Sequence, residues 1–583
     1  MYYPKINTHR TERKITDTFL GYNHQMKIQD GEWYDTGNLT NLRFPMFSPR
    51  PKRGTLNLTF TKLQGIIAKD ALYWVDNGTL YANGYATNLT GIRTDREIQL
   101  VSMGAYVCVF PDKKYINTMD LSDYGDMGAD WQYEGDVTYS MCHQDGVIYD
   151  NVSKGPTAPA SPVSGQVWID TENHVVKEYS VYTASWTVIE TVYTRVDFES
   201  DGQVTQNFKE YDGVQITGMY EDESSDLNGS KILYGVGTEN NHDYVVIIGI
   251  QETVKTVEDA SIRIKRVVPD MDYVCEAQNR LWGCFYGNDG TQNLNEIYCC
   301  ALGDFRNWEQ YLGVSTDSWR GSRGSDGPWT GCINYLGSPT FFKENVIHPV
   351  SVSSVGAHQI GDIPARGVQQ GSHRSLAVVN ETLYYKSRSG IMAYQGGMPA
   401  DVGAALGEER YYDAVAGAFG DRYYICMKDA MNAWQFFCYD VKKGLWIRED
   451  NLHAECFTSW GDELYAQAGN SVVALNGTEG TPEDVVHWYA ETGIEYYRYP
   501  DKKYVSRYNI RLNMQRESKL QIFLEYDSSG LWQFQQEVRL PNTGTCTIPV
   551  RPRRCDHMRL RLEGKGDVRI FSIARILEQG SDV

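Results

Sequence analysis

No stretch of this chain reaches the roughly 18 consecutive apolar residues that a membrane-crossing helix needs. The opening "MYYPKINTHRTERKITDTFLGYNH" carries charges with no apolar core behind them, so a secretory signal is not expected and synthesis in the cytoplasm is. Catalytic signatures are missing too: there is no P-loop, no HExxH, no GxSxG and no CxxC. The 11 histidines are scattered without metal-ligand spacing. "DMGAD" and "EDESSD" bring carboxylates together but lack the glycine and distal Glu of a calcium loop. No catalytic, cofactor-binding or metal-ligating residue is therefore expected, and the chain is not read as an enzyme. Basic charge is also short. With 55 Lys and Arg against 75 Asp and Glu, the net charge is −20, which disfavours tight binding to nucleic acid or anionic membrane.

What is present points to strands. Tyr (41) far outnumbers Phe (18), and 54 glycines against 19 prolines fit many tight turns. Tyrosine suits a half-buried pleated surface, packed on one face with its hydroxyl in water. A chain of 583 residues exceeds one ordinary core, so several domains are expected. Cys108, Cys275, Cys284, Cys426, Cys438 and Cys456 sit in apolar or aromatic runs, where cysteine acts as a small hydrophobe. Adjacent Cys299 and Cys300 would face opposite ways on a strand, so reduced core thiols are expected.

One short unit recurs. "LYWVDNGTLYANG" (72–84), "LYYKSRSGIMAYQGG" (383–397) and "LYAQAGNSVVALNG" (464–477) each read as two strands joined by a glycine-containing turn. In longer windows the unit becomes a run of three strands at a spacing of about 40 residues, the period of a four-stranded propeller blade. The expected fold is all-β: a propeller of six to eight blades over 56–139 and 241–490, interrupted by a small β-module at 140–240. A stacked array of β-sandwiches is the alternative. The module opens on the Pro/Ser/Gly stretch "SKGPTAPASPVSG" and contains Trp168 and Trp186, candidates for a glycan platform as well as for core packing. Bounded by Pro- and Gly-rich sequence, it is expected to be removable.

The two ends differ from the middle. Residues 1–55 are polar and finish in "NLRFPMFSPRPKRG", whose prolines exclude helix and central strand. This reads as an extended arm, with Phe44, Met46 and Phe47 needing burial against the body or a neighbour. Residues 491–583 contain clean period-two strands, as in a two-sheet sandwich. Arg559 and Arg561 alternate with Leu560 and Leu562, so they share one face, read as exposed and able to dock on an acidic partner.

The stretches "NLRFPMFSPRPKRG", "LYYKSRSGIMAYQGG" and "HMRLRLEGKGDVRI", and the order of arm, short-stranded body and Arg-rich end, resemble tail and head-completion proteins of tailed bacteriophages, of the packaged-DNA stabilisation or tail nozzle type. The resemblance implies a structural virion protein at the tail or head-tail junction. It would form a homo-oligomeric ring, six-fold favoured, beside portal-proximal partners, with DNA passing through during ejection without tight binding. Two other readings stay open: a receptor- or glycan-binding propeller on the virion surface, and a propeller glycoside hydrolase.

Overall fold

The computed structural model describes residues 11–221, 225–352, 357–497, 502–540, 542–551 and 553–579. Residues 1–10 of the expected arm, residues 222–224 of the acidic turn-rich stretch and Pro500 lie outside them. Among the described residues the fold is all-β, with one five-residue α-helix, Gln203–Asn207, and two 3-10 turns.

Small antiparallel sheets dominate. Six have four strands each and run over 63–86, 99–126, 273–322, 331–360, 377–401 and 412–450; a seventh has five strands, three of them within 456–474. The three recurring hairpins fall in three separate sheets of this series, as Leu72–Asp76 with Thr79–Ala82, Thr382–Lys386 with Ile391–Tyr394, and Glu463–Ala468 with Ser471–Ala474. Their turns are built differently. Asn77 and Gly78 both take positive φ (46° and 77°), the geometry whose twist suits a two-residue hairpin. Gly390 does not. There the Ser387 hydroxyl accepts from the N–H groups of Ser389 (3.2 Å) and Gly390 (3.3 Å), and a Cβ at position 390 would sit 2.5 Å from Asp401. Glycine serves close approach at that turn, not a left-handed backbone.

First strands of successive sheets lie side by side. Leu63–Ala68 meets Gln99–Met103, which meets Tyr273–Ala277, which meets Gly331–Tyr335. Gly331–Tyr335 touches the turn His373–Ser375 that leads into Ala377–Val379. That strand meets Tyr412–Phe419, which meets Cys456–Trp460, and Cys456–Trp460 packs on Leu63–Ala68 again. An apolar cluster fills each gap: Val75 with Val107, Cys108 with Leu281, Trp282 with Phe341, Phe342 with Tyr385, Tyr384 with Tyr423, Phe436 with Leu464, and Tyr465 with Trp74. All 12 cysteines are free thiols, nine of them buried.

The expected module borders at 140 and 240 need correction, because both cut through one sheet. Ala129–Cys142 pairs with Lys255–Arg266 along most of its length, Trp131 opposite Ile264 and Tyr133 opposite Ile262. These strands are the spine of a seven-stranded sheet over 129–266, and a separate four-stranded sheet (152–188) is carried within its sequence span.

At the C-terminal end, two sheets share one core. Thr11–Thr16, Val568–Gln579, Lys503–Met514 and Gly544–Pro549 form the first; Asp35–Gly37, His487–Glu491, Met558–Lys565, Lys519–Tyr526 and Gln533–Val538 form the second. Ile510, Leu512, Ile570 and Ile573 of the first pack with Leu520, Ile522, Leu560 and Leu562 of the second. The strand His487–Glu491 moves the start of this unit ahead of the expected residue 491. The N-terminal segment contributes to both sheets, then supplies Gly54–Thr55 to the seventh small sheet, between Val473–Ala474 and Thr481–Pro482. It is a woven part of the body, and the reading of residues 11–55 as an appended arm is corrected accordingly.

Candidate functional site: the N-terminal segment and the basic strands

The residues expected to drive assembly separate into two groups once their surroundings are known. Phe47 belongs to the protein's own core. It is 4% exposed, stacks on Trp33 (5.0 Å between centroids) and meets Trp488 edge-on (5.4 Å), while its backbone bridges that of Ile570. Met46 is half-buried beside it. Phe44 is different: it is 38% exposed, with the Lys443 ammonium 5.7 Å from its ring, and neighbouring Leu42 is 58% exposed. Of the three apolar candidates, only Phe44 remains free to cover a partner, and it gains Leu42 as a companion that sequence reading did not single out. An exposed Leu-x-Phe before a proline was the available signal.

Immediately after, the same segment is fixed by charge. Arg50 pairs with Glu483, and Arg53 reaches Asp450 (2.7 Å) and Glu449 (2.8 Å); both arginines are buried. Glu449 and Asp450 end the strand Leu445–Asp450 of the sixth sheet, whereas Glu483 follows the seventh. Two guanidiniums from "PRPKR" therefore bind the segment to two sheets at once. Burial costs each charge several kcal/mol of hydration, which well-placed partners offset and which makes loss of one partner expensive. Sequence reading missed this cluster because its acids lie far away in the chain.

The Arg559/Arg561 face requires a correction. It is not a free basic surface. Register places Glu491 opposite Arg561 and Glu525 opposite Arg559 on the flanking strands, so each arginine meets acids on its own face of the sheet. Arg559 binds Glu491 (2.9 Å) and Glu525 (3.3 Å); Arg561 binds Glu563 (2.6 Å) and Glu491. The rings of Trp532, Tyr34 and Tyr489 lie within 5.8 Å of these guanidiniums. Burial raises the Glu491 carboxyl above its ordinary value, and Arg561 and Arg559 oppose that rise. The cluster is neutralised internally and offers little attraction to an acidic neighbour.

The tryptophan pair also turns inward. Trp168 is 7% exposed, donates its indole N–H to the Gly155 carbonyl (2.9 Å), and carries the Lys177 ammonium over its ring at 4.8 Å. Trp186 packs edge-on against it (5.5 Å) and is half-buried. A flat, open platform for a sugar ring is not formed by Trp168. Among the described residues, no group of three His, Cys, Asp or Glu side chains is placed to hold a metal ion, and no helix is long and apolar enough to cross a membrane.

No family model matches the chain, and no curated protein does. Among solved structures it is similar to U3-55K, with 6% identity over 73% of this chain and 98% of that one and a TM-score of 0.30. It is also similar to PorZ, a surface component of the type-IX secretion system of Porphyromonas gingivalis (9% identity, 88% and 82%, TM-score 0.25). An exo-beta-1,3-galactanase from Phanerochaete chrysosporium gives 9% identity over 52% of this chain and 94% of that one, with a TM-score of 0.22. Likeness at these scores carries no argument about fold or activity.

Proposed function

We propose that the chain is a structural virion protein of a tailed bacteriophage, assembling as a ring of identical subunits at the tail or head-tail junction, in the manner of a nozzle or stopper. Its body is read as a seven-bladed β-propeller. That reading rests on the seven small sheets whose first strands neighbour one another in sequence and return from the last to the first. In it, Gly54–Thr55 is the strand that joins the two ends of the propeller sequence, the 129–266 unit is an insertion between two blades, and the two C-terminal sheets form a sandwich.

The observation that carries the assembly role is the turn at 41–46. The N-terminal segment buries Phe19, Trp33, Leu39 and Phe47, yet leaves Leu42 and Phe44 of one turn in water. Exposed apolar side chains on a turn whose flanks are buried are what an interface with another subunit or a tail neighbour uses. The net charge of −20 supports the accompanying idea that duplex DNA passes such a ring without adhering, since a negative lining repels phosphates. Electron microscopy of the purified protein, alone and with tail components, tests the proposal. Hollow rings are expected; a strict monomer in both preparations overturns it.

A further inference from the structure

At one end of the fourth sheet a serine, a histidine and an aspartate stand in line. Ser325 lies in the connection between Trp319–Ser322 and Gly331–Tyr335, His348 is on Val346–Val352, and Asp362 follows His358–Ile360. The His348 ring is 1% exposed and packs edge-on to Trp329 at 5.4 Å. Its Nδ1 faces two acceptors, Asp362 Oδ1 at 2.7 Å and the Gly361 carbonyl at 3.3 Å. Two acceptors put the ring proton on Nδ1 and leave Nε2 as a bare lone pair. The Ser325 hydroxyl, 3.0 Å from Nε2, therefore donates to it. Burial lowers the imidazole pKa below its ordinary value while Asp362 opposes that shift, so the ring is a neutral acceptor near pH 7.

The turn holding Ser325 is fixed from beneath and open above. Lys343 Nζ donates to the Ser325 carbonyl (2.7 Å), and Asn295 Nδ2 donates to the carbonyls of Arg323 (2.8 Å) and Ser325 (2.9 Å). Gly324 and Gly327 flank it, and a Cβ on either would meet nothing within 4 Å. The backbone N–H groups of Ser325 and Asp326 have no acceptor among the described residues and are free to donate to a bound oxygen.

We propose that Ser325 is a nucleophile, His348 its general base and Asp362 a positioning residue, and that the site takes acyl groups from small carboxylic esters. The Ser325 Oγ forms a bond to the ester carbonyl carbon as its proton passes to His348 Nε2. The tetrahedral adduct then expels the alcohol, which leaves with that proton as the carbon–oxygen bond breaks. Water reverses the sequence, giving the acid and the free serine, and no oxidant or metal is required. Small esters fit because the turn is open to solvent. This activity goes beyond the assembly role and does not depend on it.

A fluorophosphonate probe reports the nucleophile directly: Oγ–P forms, fluoride leaves, and the proton is taken up through His348. The full chain is treated with the probe and, separately, with p-nitrophenyl acetate, and adducts are mapped by peptide mass spectrometry. Modification of Ser325 is expected in native and not in urea-unfolded protein. His348→Gln should slow labelling about 100-fold or more, and Ser325→Ala should abolish it. Asp362→Asn should lower kcat for the ester with KM and melting temperature little changed, since Asp362 is largely exposed and its other contact, Arg323 at 3.5 Å, is a long surface pair. Labelling spread over surface serines, acetylation of Lys343 in place of Ser325, or equal rates in native and unfolded wild-type protein overturns the proposal. The wild-type mapping decides even where His348→Gln fails to fold.

Discussion

Lys386 holds its ammonium almost wholly inside the protein. It is 4% exposed, and its Nζ donates to Gln369 Oε1 (2.9 Å) and to the Ser387 carbonyl; no carboxylate pairs with it among the described residues. Burial pushes its pKa down to about 8, from an ordinary 10.5. Between those values the unfolded chain binds a proton that the folded chain has released, so stability rises with pH across that window and the cost of the buried charge is fully present below it. Buried thiols and phenols act the other way at high pH, so the contribution is read as a difference from a variant. The unfolding free energy of wild type relative to Lys386→Met should shift in favour of wild type from pH 8 to pH 10.5, by on the order of 3 kcal/mol when complete. A gap that stays constant with pH in denaturant titrations would refute this. Arg575 makes the converse case. It is 3% exposed and bonded to Glu495 (2.6 Å) and Thr16 (2.7 Å), with Asp30 at 3.6 Å. Replacing it by Met takes the guanidinium from the largely buried Glu495, which keeps only the Tyr497 hydroxyl as a donor, and should cost about 3–5 kcal/mol in denaturant unfolding. A loss below about 1 kcal/mol would mean that water reaches Glu495.

Elements differ in how far they could be read ahead. Met558–Lys565 alternates buried and half-buried positions along its whole length, as "MRLRLEGK" indicates. The recurring hairpins were legible for the same reason, because both strands and the turn lie within about a dozen residues. Pairing across long separation was not legible. Nothing in "ADWQYEGDVTYSMC" names "KTVEDASIRIKR" as its partner, and nothing in Gly54–Thr55 names Val473. The Arg559/Arg561 face was misread for a related cause: alternation fixes which face a residue occupies, but only register fixes who stands opposite. The serine, histidine and aspartate at 325, 348 and 362 carry no motif, since a connection between two sheets, a strand and the segment after the next strand bring them together. The long pairings set two expectations. Ala129 stands opposite Arg266, so the ends of the inserted unit are adjacent, and excising 129–266 with a short join should leave a soluble, folded body. Excising 140–240 should give insoluble protein, because it leaves residues 129–139 and Lys255–Arg266 with their apolar face uncovered. Expression of both variants with circular dichroism checks this; a soluble, folded 140–240 deletion would show that the spine stands alone.

For the whole molecule the N-terminal segment has two separable duties, one inside the fold and one on its surface. Removing residues 1–54 would not spare the body, because it strips Phe19, Trp33 and Phe47 from the shared C-terminal core and Arg50 and Arg53 from their acids. Each buried aromatic is worth roughly 1.5–3 kcal/mol, so the loss is comparable with the total stability of a typical domain, and the truncated protein should be insoluble. Truncation therefore cannot test assembly. The exposed pair can. Leu42→Asp with Phe44→Asp removes the apolar display while leaving the buried aromatics and both arginine clusters in place, so the melting temperature should change by no more than a few degrees. Burying carboxylates at a formerly apolar contact opposes association strongly, so the doubly substituted protein should sediment as a monomer under conditions where wild type forms rings, and should fail to enter particles. Added salt should not restore it, since the lost contact is apolar rather than ionic. Rings of unchanged size and yield from the substituted protein would take the 41–46 turn out of the interface and leave the assembly proposal without its carrying observation.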